Sequence, residues 1–443
     1  MILIFAFQGI TPGKAAAQDG REQEENPETL FLSPEQAVEL ALNQSLNLRK
    51  SSIDLNTAGI AANNLWAEVF PDISLSGGVS YQTPLLTGTP FTSSNGFGYS
   101  ASAGLSLSLR PSLSQTMKIL DLTYRTQLLS YENARRQLEI QVIKNFFSLL
   151  AEKQNLAHLG EIKTLAEQQL EKNQTAFANG LIGQLAVLQS RLSAETARLN
   201  LIQSEAAYTV KLREFAALLG LEQEAASPAK IVLEGELQIA RIHADPEQLI
   251  RDRLGNRPDI VSQRQNIERL ELIRRQTLQN SRSPSLSLSA QWRGTGPGTN
   301  GFSDSLSGSL TLSIPVESWI PGTKGHQAIG AAEAGVEKAR LDLKDTENRA
   351  MQEIRSLAEN LKASWDSIEI ARLRVEIAER AYELTAEGFR NGTVESLTLQ
   401  EARNDMAQAR QQLLNGELAY QTMSLDLAAA LNIDWNALTR SIP

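Results

Sequence analysis

Residues 177–222 are written a second time at 389–434, and this constrains the fold more than any other feature of the chain. Laid over each other without a gap, the two 46-residue copies share fourteen identities, among them Phe177/Phe389, Arg191/Arg403, Tyr208/Tyr420 and Leu219/Leu431. Each copy opens with an Asn-Gly pair and continues as a long helical pattern, so each reads as the turn and returning arm of a helical hairpin. The repeat extends upstream. Ser33-Pro34-Glu35-Gln36 supplies an N-cap, a first-turn proline and a capping-box glutamine. The helix it starts runs, with a break near Asn43, to about Phe70. Its echo begins at Asp245-Pro246-Glu247-Gln248 and passes through Asn256-Arg257-Pro258-Asp259 to Ser283. Both stop at a proline, Pro71 and Pro284, 213 positions apart.

After each proline the period changes from helical to alternating. Ile73, Leu75, Val79 and Tyr81 alternate with Ser74, Ser76, Gly78 and Ser80; Ala101, Ala103, Leu105 and Leu107 alternate with serines and Gly104. The second half repeats this with Leu286, Leu288, Ala290 and Trp292, then with Leu306, Leu310, Leu312 and Ile314. These are two strand hairpins, 72–109 and 285–316. An ordinary half-exposed sheet in a soluble protein would alternate too. Three features favour strands that cross a membrane: a length of about ten residues, a polar face of small uncharged side chains, and aromatics (Tyr81, Tyr99, Trp292) near the strand ends. The connections Thr83–Gly98 and Gly294–Asp304 read as exposed loops.

Four strands cannot close a barrel, and open edges cannot face lipid. Other copies must supply strands: two copies would give eight and a filled interior, three would give twelve and a water-filled lumen. Between the hairpins, the stretch from about Ser114 to Ala178 contains no proline and only Gly160 as an interruption, enough for a helix of about 100 Å. Narrow apolar stripes, such as Leu185, Leu188, Leu192, Leu199 and Ile202 or Ile370, Leu373, Ile377 and Leu384, suit antiparallel coiled coils.

Composition excludes more than it proposes. The chain has no cysteine and a formal charge of −9, which leaves no thiol chemistry and no basic stripe for nucleic acid. His158, His243 and His326 are scattered without metal-ligand spacing, and no phosphate loop or nucleophile elbow occurs, so neither an enzyme nor a cofactor is expected. The resulting division is a signal-peptide remnant at 1–17 lacking its basic start, a disordered leader at 18–32, a first repeat at 33–222, a linker at 223–244, a second repeat at 245–434, and a tail at 435–443.

The order helix, proline, strand hairpin and very long helical hairpin, repeated once, resembles the TolC-type outer membrane factors of Gram-negative bacteria. So do Asn-Gly-Leu at 179–181, Asn-Gly-Thr at 391–393, and the closing Ala-Ala-Leu-Leu-Gly and Ala-Ala-Ala-Leu-Asn. The resemblance implies a mainly α homotrimer whose twelve-stranded β-barrel in outer-membrane lipid continues as a periplasmic coiled-coil tunnel. It implies an exit duct for drugs, metals or proteins, working with a periplasmic adaptor and an inner-membrane pump. In that family the hairpin turns dock the adaptor, a role that would fall to Asn179, Gly180, Leu181, Asn391, Gly392 and Thr393. The alternative for these residues is a turn and nothing more. Acidic residues ring the family's periplasmic aperture at the sixth and ninth positions after the second tip glycine; here those positions hold Thr398 and Glu401, so half of the acidic pair is present. The competing function is a structural or adhesive protein with a barrel anchor and a helical spacer.

Overall fold

The computed structural model describes residues 30–82, 96–221, 231–235, 237, 239–298 and 301–434. The segment 1–17, the tail 435–443 and most of the loop Thr83–Gly98 lie outside the described residues, although Gly96–Gly98 belong to a strand. Chain order is strand β1 (Leu30–Leu32), helices α1 (Pro34–Gln44) and α2 (Leu46–Asn63), strands β2 (Asp72–Gln82) and β3 (Gly96–Leu109), and helices α3 (Leu113–Ala178) and α4 (Gln184–Leu218). Then come β4 (Ile231–Leu233), α5 (Pro246–Arg253), α6 (Pro258–Arg282), β5 (Ser285–Gly298), β6 (Gly301–Ser313), α7 (Lys324–Arg390) and α8 (Ser396–Leu431). Short 3-10 segments lie at Leu65–Val69 between α2 and β2, at Leu254–Asn256 between α5 and α6, and at Glu317–Trp319 between β6 and α7.

Local chemistry explains most boundaries. Ser33 and Gln36 close the capping box: the Gln36 N–H donates to Ser33 Oγ at 3.2 Å and the Ser33 N–H to Gln36 Oε1 at 2.9 Å. The break expected near Asn43 falls at Ser45, whose hydroxyl accepts from the Leu48 N–H and starts α2. Gly160 does not interrupt α3, which runs unbroken for 66 residues. The leader is not disordered to residue 32: Leu30–Leu32 pair in parallel with Ile231–Leu233, and so tie the start of the chain to the linker. Within the expected loop Gly294–Asp304, residues Gly294–Gly298 and Gly301–Asp304 belong to strands β5 and β6, and residues 299–300 lie outside the described residues. Gly294 and Gly296 continue the ladder under aromatic rings, Phe302 over Gly294 and Tyr99 over Gly296.

Two apolar cores occupy the waist. One gathers Ile143, Phe146, Leu212, Phe215 and Leu219 with Leu32, Ile231 and Leu233; the other gathers Ile354, Leu361, Ile368, Tyr420 and Leu427 with Ile250. Burial of such side chains contributes about 1.5–3 kcal/mol each, and the short elements β1, α1, β4 and α5 thereby form an equatorial layer on the long helices. Tyr420 fixes that layer on the second repeat. Its hydroxyl donates to the Ala240 carbonyl and accepts from the Ile242 N–H, both at 2.9 Å.

Above the waist the four long strands form one antiparallel sheet in the order β2-β3-β5-β6. Register puts Leu107, Leu288 and Leu310 in one row, and Ser106, Ser289 and Ser309 in the next. Since neighbours along a strand point to opposite faces, one face is mostly Leu, Ile, Val, Ala and aromatic, and the other is mostly serine, threonine and glycine with Asp72, Gln82, Gln291 and Arg293. Below the waist packing runs α4 to α3, α3 to α8 and α8 to α7. Sheet and helices alike therefore end in open edges, β2 and β6 above, α4 and α7 below.

Candidate docking tips and channel-forming surfaces

Both helical hairpins turn through the same backbone device. At the first tip Asn179 follows the last helical residue, Gly180 takes φ +72°, the Gly180 N–H donates to the Phe177 carbonyl and the Leu181 N–H to the Ala176 carbonyl. At the second, Gly392 takes φ +73°, its N–H donates to Phe389 and that of Thr393 to Gly388. This is the Schellman closure, and it needs a left-handed residue where glycine carries no steric penalty. A Cβ at either glycine would meet nothing within 4 Å, so the conformation alone selects glycine and the surrounding space is free.

The tips differ in what they present. All six residues from Asn179 to Leu181 and Asn391 to Thr393 are exposed. The first tip is apolar, with Leu181 76% exposed beside exposed Phe177 and Leu185. The second is polar: the Thr393 hydroxyl folds back to donate to the Gly388 carbonyl at 3.0 Å. Asn173 links the hairpins, donating to both the Ala186 carbonyl and the Ser396 hydroxyl.

Thr398 and Glu401 are exposed on α8 and line an open groove of about 570 Å³ between α7 and α8. Asp405, one turn beyond Glu401, lines it as well. Sequence reasoning missed Asp405, because the family's two aperture positions end at Glu401. It also missed the state of Arg403, which is 6% exposed among α3, α4, α7 and α8. The Arg403 Nη2 donates to Ser193 Oγ, while its Nε has no partner. Burial pushes the guanidinium pKa down, opposed only by the Tyr382 phenol.

The sheet carries the marks of a membrane segment at both ends. Tyr81 and Phe97 meet at 5.0 Å with tilted rings at the end away from the helices; Trp66 and Phe70 meet at 5.4 Å at the helical end, where the Arg282 guanidinium lies 4.7 Å over exposed Trp319. Two aromatic belts bounding an apolar face are what a lipid-facing barrel wall presents. Among the described residues no helix is long and apolar enough to cross a membrane, and no side-chain group could hold a metal ion.

A family model described as outer membrane efflux protein matches residues 37–221 and 249–432, one stretch in each repeat. Among solved structures, the Campylobacter jejuni CmeC outer membrane channel superposes with a TM-score of 0.72 at 18% identity, covering 92% of this chain and 88% of that one. A membrane protein from Pseudomonas aeruginosa gives 0.71 at 19%, with 91% of each chain covered. The outer membrane protein VceC of Vibrio cholerae gives 0.68 at 18%, covering 91% and 96%. No protein of curated function matches the chain by sequence. At these identities the solved structures speak for the fold, while the family rests on the match to both halves. The chain belongs to the outer membrane efflux protein family, with its strands in the outer membrane and its helices extending into the periplasm.

Proposed function

We propose that three copies of the chain close into a twelve-stranded barrel continued by a twelve-helix tunnel, the passive exit duct of a tripartite efflux or type I secretion system. The observation that carries this is the open sheet. Among the described residues its β2 and β6 edges have no partner strand, and its apolar face is bare, as at Leu75, 84% exposed, and Leu310, 69% exposed. Unpaired backbone in hydrocarbon costs several kcal/mol per group, so β6 of one copy pairs with β2 of the next. Three copies at four strands each make twelve, and the serine face lines a lumen wide enough for water. The adaptor of an inner-membrane pump docks at the exposed tips, Asn179, Gly180 and Leu181 and Asn391, Gly392 and Thr393.

Thr398 and Glu401 belong to the periplasmic aperture. Leu399, Met406, Leu413 and Tyr420 recur every seven residues along one side of α8, the side on which Tyr420 grips the equatorial layer. Glu401 stands two residues past Leu399, about 200° round the helix, and so turns away from that layer, onto the rim of the α7–α8 groove. A ring of such carboxylates favours cations. Planar-bilayer recording on purified protein tests both points. An open lumen gives steady conductance, whose cation preference falls in Glu401→Lys and far less in Glu395→Lys. A protein that only anchors and spaces gives no conductance, and equal effects at the two glutamates would remove Glu401 from the aperture.

A further inference from the structure

The duplicated chain contains a filled and an unfilled version of one groove. In the first hairpin, Leu165, Ala166, Gln169, Ser190 and Ser193 line the groove between α3 and α4, and α8 fills it so completely that only about 30 Å³ remains. Adding the repeat offset of 212 turns these residues into Ile377, Ala378, Ala381, Ala402 and Asp405, which all line the open groove of about 570 Å³ between α7 and α8. The occupant has a counterpart as well. Helix α8 fills the first groove with Ser396, Leu399, Gln400 and Arg403, whose equivalents Gln184, Val187, Leu188 and Arg191 lie on α4. Helix α4 is bare along this side: Leu414 of α8 is 7% exposed and its equivalent Ile202 is 51% exposed. Because α4 and α7 are opposite edges of the four-helix layer, α4 cannot reach the open groove of its own chain.

We infer that the α7–α8 groove of each copy receives α4 of the next, in the register by which α8 sits on α3 and α4, and that this brings Arg191 onto Asp405 of the neighbouring copy. Within one chain the buried Arg403 finds only a serine, Ser193. At the equivalent place between chains the repeat has put an aspartate opposite the arginine, so the contact between copies gains an ion pair that the internal contact lacks. A charge pair at one register position penalises slippage by a turn, since a displaced arginine leaves the carboxylate without its partner. The inference rests on the ring of copies proposed above and adds which helices meet and in what register.

The chain has no cysteine, so Arg191→Cys with Asp405→Cys can be probed directly in detergent-purified protein. The reach of an arginine separates the two backbones too far for a disulfide, and a short bis-maleimide is the suitable probe. Covalent species of two and three chain masses on a denaturing gel are expected. The reference pair Ser193→Cys with Arg403→Cys should join within one chain and stay at one chain mass. Independently, Asp405→Arg should lower the temperature at which the assembly dissociates, and Arg191→Asp in the same chain should restore it. Absence of covalent oligomers from a preparation that native mass measurement finds trimeric would overturn the register and leave the trimer standing. Their absence from a preparation found monomeric would overturn the ring as well.

Discussion

Leu414 and Ile202 occupy the same position in the two copies of the repeat, yet the first is 7% exposed and the second 51%. Arg403 and Arg191 differ in the same way, one buried beneath α3 and the other bare on α4. The copies are alike in sequence and unlike in surroundings because one lies inside the four-helix layer and the other at its rim. A repeat array buries in its interior what it leaves exposed at its ends. The exposed edges of this chain, α4 and α7 below and β2 and β6 above, therefore mark where a further copy continues the pattern.

The tips allow the sharpest test, since Gly180 and Gly392 have the same φ and the same open surroundings. Gly180→Trp and Gly392→Trp should each leave a folded outer-membrane protein and abolish export, scored as cellular efflux and as adaptor crosslinking. A side chain at positive φ adds about 1–2 kcal/mol of strain, too little to unfold a helical pair of this length. Full export from either variant would make that tip a turn only.

Next in size is the interior–rim pair itself. Leu414→Ala should destabilise by about 2–5 kcal/mol in denaturant melts. If a neighbouring copy covers α4, Ile202→Ala in the assembled protein approaches that loss; if α4 faces water, it stays within about 0.5 kcal/mol. The sheet gives a parallel contrast. Leu310→Arg on the rim strand should cost as much as Leu107→Arg on the interior strand, about 2–4 kcal/mol near mid-membrane, whereas Ser309→Arg on the serine face should be tolerated. A cheap Leu310→Arg would mean that β6 is not part of a continuous lipid-facing wall.

The smallest effect separates the halves by pH. In the second repeat Arg257 binds Asp259 through two hydrogen bonds, 3.1 and 2.8 Å, and pairs with Glu353 at 2.8 Å; the first repeat has Ser45 and Asn47 at the matching places. Burial pushes the Asp259 pKa up, but the Arg257 hydrogen bonds and charge outweigh it and hold the pKa below its usual value. A carboxylate with a depressed folded pKa stabilises the fold above its unfolded value, about 3.9, and that stability is lost as pH falls through the folded value. Because Asp259 is partly exposed, the loss should stay below about 1 kcal/mol. Asp259→Asn should remove this part of the acid sensitivity, and an unchanged acid melting curve would show that the pair contributes nothing.

The features legible in the sequence were those set by local chemistry. The cap at Ser33, the stops at Pro71 and Pro284, the two-residue alternation and the tip glycines each follow from a few adjacent residues. What escaped needed partners on another strand. Leu30–Leu32 became a strand only by pairing with Ile231–Leu233, and Gly294 and Gly296 stayed in the ladder only because Phe302 and Tyr99 cover them. At the candidate site the tip glycines were visible by their spacing, while Asp405 became visible only when the filled groove could be compared with the open one. The identity of Arg191 and Arg403 was legible from the start, but not that one would be buried and the other bare.

A single chain is proposed to be one third of a closed wall. Native mass spectrometry of the protein extracted from outer membranes in mild detergent tests it most directly, because strand closure fixes the number of copies. One species of three chain masses is expected, falling to single chains only on heating. A folded species of one or two chain masses, stable without heating, would contradict it.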